Sequence, residues 1–150
     1  MSTTRISVAL RLEVIERAKG QCKYCRLPEE ATWNPHEIDY VIAEKHRGQT
    51  TVDNLAFACM SCNSYKGSDL ASIDPQTGKI TQLFNPRTQH WDEHFQLAKD
   101  GTIVPRTAEG RVTVFLLRFH APLRQQQRAN LIATGGLQPT SESFRQPPVS

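Results

Sequence analysis

The residues with the clearest chemistry in this 150-residue chain are its four cysteines, which form two Cys-x-x-Cys pairs. A gap of two residues lets both thiolates of a pair reach one tetrahedral ion. Together the pairs predict one closed, structural zinc site, which does no chemistry itself and which ties residues 20–26 to residues 58–63. Its ligands are Cys22, Cys25, Cys59 and Cys62. Disulfides or a redox dithiol are the alternatives, but the sequence around the pairs has neither a secretory nor a thioredoxin-like character.

Periodicity predicts the elements that position the cysteines. Four apolar residues recur at helical spacing from about residue 6: Val8, Leu12, Ile15 and Ala18. Gly20 suits the end of this helix, which delivers the first pair. Residues 37–43 and 54–59 are typical of two strands, a glycine-containing loop at 46–51 lies between them, and a short helix runs from about residue 62 to residue 69.

The second half of the chain alternates turn signals with helical patterns. We expect a turn or hairpin around residues 75–78, a proline-started helix over 83–95, a hairpin turning at Asp100-Gly101, a helix capped by Thr107, and a helix over 121–134. These elements predict an α+β fold. We expect one domain over residues 1–134, with a core at 20–70 and an extension at 71–134, and a disordered tail at 135–150.

Composition is that of a water-soluble domain, with 38% hydrophobic residues and no apolar run long enough to cross a bilayer. Arg and Glu interrupt the apolar positions at the start of the chain, so we expect no signal peptide and a cytoplasmic location. The formal charge of +3 favours a polyanionic partner only weakly, because a zinc ion on four thiolates lowers it by about two. The distribution is more informative, because basic residues gather in or near the cysteine-bounded segment: Lys45, His46, Arg47, Lys66 and Arg87.

In order along the chain, the segments CKYC, EIDY, HRGQTTVDNL and CMSCNSYKG resemble the HNH endonucleases. Later segments, including IDP and LFNPR, resemble bacterial members of that family, so the likeness extends over about residues 8–120. The resemblance implies a ββα-metal core, stapled by zinc, with an N-terminal helix and a mixed helix and hairpin extension. It also implies hydrolysis of phosphodiester bonds in DNA, expected to be double-stranded, with one divalent cation.

Site roles follow from the same resemblance. Asp39 and Asn63 would hold a catalytic Mg²⁺ or Mn²⁺ through hard oxygen ligands and leave positions open for water and phosphate. Asn54 would tie the glycine-containing loop to the strand. Three basic residues are expected to contact nucleic acid: Lys45, Arg47 and Lys66.

The chain departs from the family pattern at Tyr40, where the family places the histidine that takes a proton from the attacking water. A phenol has a pKa near 10 and an imidazole near 6.5, so phenolate would need about 4 kcal/mol of stabilisation to match. Three hypotheses follow: a slow nuclease that uses Tyr40, a nuclease that recruits His46, and a module that binds DNA without cutting it. His36 is a poorer substitute because four strand residues, about 13 Å, separate it from Tyr40.

Overall fold

The computed structural model describes residues 5–141. It divides the chain into two compact units, one formed by the chain up to Leu70 with Asn85–Thr88, the other by Ala71–Phe84 with the chain from Gln89 onward. The predicted α+β class is confirmed, because over residues 5–141 helices alternate with three separate two-stranded antiparallel hairpins. The expected single domain over 1–134 stays a prediction.

The first unit begins with helix α1 at Val8–Ala18, whose start is capped by Ser7. Strand β1 at Glu37–Tyr40 pairs antiparallel with strand β2 at Leu55–Ala58, so that Asp39 lies opposite Ala56. Helix α2 at Met60–Lys66 follows β2 directly, with the Cys59 thiol capping its first turn. The strand, strand, helix order predicted for the core is therefore present.

Part of the apolar pattern of α1 packs on the hairpin. Val8 and Leu12 are 74% and 53% exposed, whereas Val14 and Ala18 are buried against Leu55 and Phe57 of β2. The apolar pattern admits two helix faces, and the tertiary contact with the hairpin selects the one with Leu10, Val14 and Ala18 at successive turns.

Within the described residues, the second unit carries two hairpins and three α-helices. Strands β3 (Ala71–Ile73) and β4 (Ile80–Gln82) form the first hairpin, and β5 (Phe95–Leu97) and β6 (Ile103–Pro105) form the second. Helix α3 covers Trp91–His94, α4 covers Ala108–Leu116 with Thr107 as its cap, and α5 covers Pro122–Thr134. Aromatic rings fill the core of this unit: Phe84, Trp91, Phe95 and Phe119.

Two predictions for the second half of the chain need correction. The helix expected over 83–95 is restricted to α3, because Asn85 instead forms a turn in which its side chain accepts from the Arg87 backbone N–H. The disordered tail expected from residue 135 is ordered up to residue 141: Leu137 is buried, and Thr140 exchanges two hydrogen bonds with Leu97. The remainder of that tail, 142–150, lies outside the described residues.

No helix in residues 5–141 combines the length and the apolar character that a membrane span requires. The cytoplasmic location stays a prediction.

Candidate active site

The four cysteines converge, as the sequence predicts. Their Sγ atoms all lie within 4.8 Å of one another, and those of Cys25 and Cys59 are 3.7 Å apart. Tetrahedral zinc with bonds of about 2.3 Å to sulfur places its ligands about 3.8 Å apart. Within residues 5–141 this is the one group of three or more His, Cys, Asp or Glu side chains that could share an ion. The residues therefore fit a structural zinc ion.

The chemistry of the thiols supports a metal in this cluster. Burial raises the pKa of Cys22 and Cys62 well above the ordinary value for a thiol. Four buried thiolates would repel one another, and a bound cation supplies the compensating charge. The four cysteines are therefore positioned to bind a metal ion, and zinc would keep all four sulfurs deprotonated.

The first Cys-x-x-Cys turn also carries Tyr24, which holds Asp39 in place. The buried Tyr24 hydroxyl donates to Asp39 Oδ2 at 2.6 Å, and Lys66 Nζ donates to Asp39 Oδ1 at 3.3 Å. Burial raises the pKa of Asp39, while Lys66 and Tyr24 act in the opposite direction. The zinc turn, strand β1 and helix α2 therefore meet at this one carboxylate.

Lys66 does not lie where the sequence places it. We expected it to contact phosphate, but it is 2% exposed, and its ammonium also donates to the Tyr40 backbone oxygen at 3.0 Å. A buried ammonium with these partners balances the charge of Asp39. We therefore remove Lys66 from the residues that contact nucleic acid.

Glu37 and Asn63 form the second contact between β1 and α2. Glu37 lies two residues before Asp39 and thus on the same face of the strand. Its Oε2 accepts a hydrogen bond of 2.5 Å from Asn63 Nδ2. Asn63 and Lys66 are one turn apart on α2, so two parallel contacts, Glu37 with Asn63 and Asp39 with Lys66, join the strand to the helix.

Glu37, Asp39 and Asn63 carry side-chain oxygens at the contact between β1 and α2. Two carboxylates and one amide supply oxygen ligands of the type that Mg²⁺ and Mn²⁺ prefer. Glu37 engages the amide nitrogen of Asn63, which leaves the amide oxygen as the atom that could ligate. Asp39 accepts one hydrogen bond from Tyr24 and one from Lys66. A carboxylate has about four acceptor positions, so these two bonds occupy about half of them.

Tyr40 lies on the other face of β1. Its ring packs against the cluster formed by α1 and β2, as does Ile38, and its hydroxyl shares a 2.7 Å hydrogen bond with Thr50. The strand therefore directs Glu37 and Asp39 towards α2, and Ile38 and Tyr40 towards α1. By alternation, the residue at the family's base position belongs to the opposite face from the candidate cation ligands.

Asn54 joins the loop to the end of β1 through its side chain. Its Oδ1 accepts from the Ile42 backbone N–H, and its Nδ2 donates to the carbonyls of Ile42 and Gln49, each at 2.9 Å. The loop is so close to the strand end that a Cβ on Gly48 would lie 1.6 Å from Ile42 O. This clamp holds a segment in which three exposed side chains are consecutive: Lys45, His46 and Arg47.

Two other histidines, His36 and His94, take structural positions. His36 is buried, hydrogen-bonds to Leu27 O through Nε2 at 2.8 Å and packs against the ring of Phe57. In the second unit, His94 hydrogen-bonds to Thr107 at 2.6 Å. Exposed His46 is therefore the histidine of the first unit that is most accessible to a substrate.

Sequence reasoning missed Tyr24 and Glu37. The spacing of Glu37 and Asp39, two residues apart in a predicted strand, was a usable signal, because such residues share a face. Tyr24 gave no such signal, because its contact with Asp39 depends on how the zinc turn folds back over the strand.

Comparison with known proteins gives a match to the segment that carries these residues. No curated protein matches the chain, and neither does any solved structure. The model of the HNH endonuclease family matches residues 22–69. That segment contains the four cysteines and three of the polar residues described above, Asp39, Asn54 and Asn63, so the resemblance inferred from the sequence is confirmed: residues 22–69 are similar to the HNH endonucleases.

Proposed function

We propose that this protein is an endonuclease that hydrolyses phosphodiester bonds in double-stranded DNA with one divalent cation, Mg²⁺ or Mn²⁺. The observation that carries the proposal is the double contact between β1 and α2, which gathers Glu37, Asp39 and Asn63 beside the zinc turn. A domain that used zinc only as a staple would have no need of a second, oxygen-lined site. The likeness of residues 22–69 to HNH endonucleases supports the same conclusion.

The residues have distinct tasks in this proposal. A divalent cation, when bound, polarises the phosphate and stabilises the leaving oxygen. Asp39, fixed by Tyr24 and Lys66, supplies the charged ligand, and Asn63 supplies the neutral one. Glu37 fixes the orientation of the Asn63 amide and is itself exposed enough to contribute an oxygen.

The neighbouring loop supplies the remaining parts. Lys45 and Arg47 are exposed on the segment clamped by Asn54, and we propose that they contact the phosphate backbone. His46 lies between them and is the alternative proton acceptor to Tyr40. With a phenol instead of an imidazole at position 40, we expect slow cleavage.

A second function is favoured by the position of Tyr40. Its hydroxyl is held by Thr50 and its ring packs on the α1 side, an arrangement that suits a structural role. A zinc-containing module that binds nucleic acid without cutting it would have these features and could retain the rest of the site.

The test is nicking of supercoiled plasmid by the zinc-loaded protein in Mg²⁺, in Mn²⁺ and in EDTA. We expect slow nicking that requires the divalent cation and that Asn63→Ala abolishes. Asn34→Ala, which changes an exposed asparagine of the same unit, should nick like the unchanged protein. DNA binding without nicking under every condition would favour the second function, and nicking that persists in Asn63→Ala would contradict the assigned site.

A further inference from the structure

Outside the cation site, the first unit presents a second polar feature, along the outer edge of β2. Leu55 O and Phe57 O point away from β1: Arg17 donates to Leu55 O at 2.5 Å, and the Lys23 backbone N–H donates to Phe57 O at 2.8 Å. Carbonyls two residues apart on a strand are about 7 Å apart. Arg17 of α1 and Lys23 of the first zinc turn are therefore neighbours on this edge.

Two further basic residues belong to the same group. Arg26 closes the zinc turn, with its backbone N–H donating to Cys22 O at 3.0 Å. Arg87 comes from Asn85–Thr88, the segment that joins the first unit from the second half of the sequence. Burial lowers the pKa of Lys23 most, and the positive charges of Arg26, Arg87 and Arg17 lower it further. The pKa of Arg87 is likewise lowered by burial and then by the charge of Arg17. We call these four residues the β2-edge cluster.

The β2-edge cluster carries four positive charges. Its side chains are half-buried, and negative groups act on them: Glu13 and Asp53, with Cys22, a ligand of the expected zinc ion, acting on Lys23. Arg87 Nε is buried and hydrogen-bonds to no group within residues 5–141. A buried donor of this kind calls for an acceptor, and a phosphate oxygen at the edge of β2 would supply one.

We propose that the β2-edge cluster binds the phosphate backbone of the nucleic acid, as a surface additional to Lys45 and Arg47. Arginine and lysine at short spacing along one edge match consecutive backbone phosphates better than they match a single small anion. The cluster includes the first zinc turn, whose Tyr24 holds Asp39, so backbone contacts there would fix the strand relative to the cation site. The inference rests on the proposed function, because the ligand is its substrate.

The test measures how affinity for a short random-sequence DNA duplex depends on salt. Lys23→Gln, Arg26→Gln and Arg87→Gln are combined, and Arg17 is left unchanged because it anchors two backbone carbonyls, Val52 O and Leu55 O. The slope of log K against log salt should fall by about 0.9 for each lost phosphate contact, or by about 2.7 for the triple variant. Zinc content and thermal midpoint verify that the variant is folded.

Two single variants serve as controls, Lys45→Gln and Lys99→Gln. Lys99→Gln removes a charge from an exposed position of the second unit and should leave the slope unchanged, whereas Lys45→Gln should lower it by about 0.9. If the triple variant keeps the slope of the unchanged protein while Lys45→Gln lowers it, the phosphate-binding role of the β2-edge cluster is overturned and the proposed function stands. If the unchanged protein binds no duplex, both are overturned.

Discussion

Position 40 shows most clearly how one residue sets the chemistry of this protein. A phenol at the family's base position is a poor proton acceptor at neutral pH, and here its hydroxyl is held by Thr50. Because Tyr40 and the candidate cation ligands lie on opposite faces of β1, Tyr40→His tests whether position 40 reaches the attacking water: a base positioned there should raise the rate of plasmid nicking at pH 7 by about 10²-fold or more.

Tyr40→Phe is the matched variant, because it keeps the ring that packs on the α1 side and removes only the hydroxyl. If the hydroxyl has only a structural role, Tyr40→Phe should cut as slowly as the unchanged protein. A complete loss of cutting in Tyr40→Phe would identify Tyr40 as the working base, and no gain in Tyr40→His would show that position 40 does not face the scissile phosphate.

Glu37 should affect the affinity of the site for the divalent cation. Its carboxylate orients the Asn63 amide, so Glu37→Ala should weaken Mn²⁺ binding by about 10-fold to 100-fold, as is usual for residues that orient a metal ligand. Glu37→Gln keeps an oxygen that can accept from Asn63 Nδ2 and should weaken binding less. Mn²⁺ titration, monitored by electron paramagnetic resonance, measures the affinity. Glu30→Gln, which changes an exposed glutamate, is the control. Equal affinities in Glu37→Ala and Glu30→Gln would remove Glu37 from the site.

The residues that the sequence could identify are those whose chemistry is local. Cysteine spacing predicts the zinc cluster, and an asparagine beside a glycine-containing loop is a natural clamp, as the three bonds of Asn54 show. The roles of Lys66 and Tyr24 could not be predicted from local sequence. Their roles arise from contacts with Asp39 across 27 and 15 residues of sequence, which only the fold brings together.

At the scale of elements, the loop between β1 and β2 is held mainly by one side chain. Asn54→Ala removes three hydrogen bonds and leaves backbone groups of Ile42 and Gln49 without those partners, so we expect a loss of about 2 kcal/mol in the free energy of unfolding. Urea denaturation measures this. Asn34→Ala should cost far less, and a similar cost for the two variants would contradict the clamp.

The hairpin of β3 and β4 is joined to α4 by an ion pair that predicts a pH dependence. Arg111 donates to both oxygens of the buried Asp74, and it holds the pKa of that carboxyl well below its usual value. An unfolded aspartate has a pKa near 3.9. The stabilisation is therefore complete above about pH 4 and is lost as the pH falls towards the lower folded pKa.

Asp74→Asn provides the measurement for this ion pair. The variant should be less stable than the unchanged protein at pH 7, and the difference in stability should shrink as the pH falls below about 4. Thermal unfolding at each pH measures this difference. Glu93→Gln, which removes an exposed acid of the same unit, should show no such convergence. A difference that stays constant from pH 7 to pH 3 would contradict the role of Asp74.

Element types could be predicted from the sequence better than element faces and ends. The hairpin turning at Asp100-Gly101 and the Thr107-capped helix depend on short-range signals and are present. The buried face of α1 and the short α3 depend on tertiary packing and on the Asn85 turn, which override the local pattern.

For the molecule as a whole, zinc should decide whether the first unit folds. Its buried cluster combines α1 with β2, while the cysteines fasten the ends of the segment that includes β1. We expect zinc removal by a strong chelator, or the substitution Cys62→Ser, to abolish hydrogen-exchange protection in β1, β2 and α2. The second unit contains its own aromatic core and no cysteine, so its β5 and β6 amides should keep more protection. Unchanged protection of β1 and β2 after zinc removal would contradict the structural role of the metal.

We propose that the first unit holds one divalent cation at Asp39 and Asn63, besides its zinc. The most direct test is Mn²⁺ titration of the zinc-loaded protein, because binding does not depend on whether Tyr40 can act as a base. We predict one Mn²⁺ per chain, lost in Asn63→Ala and in Asp39→Asn with zinc content unchanged, and retained in Asn34→Ala. No bound Mn²⁺, or binding that survives both site substitutions, would contradict the account.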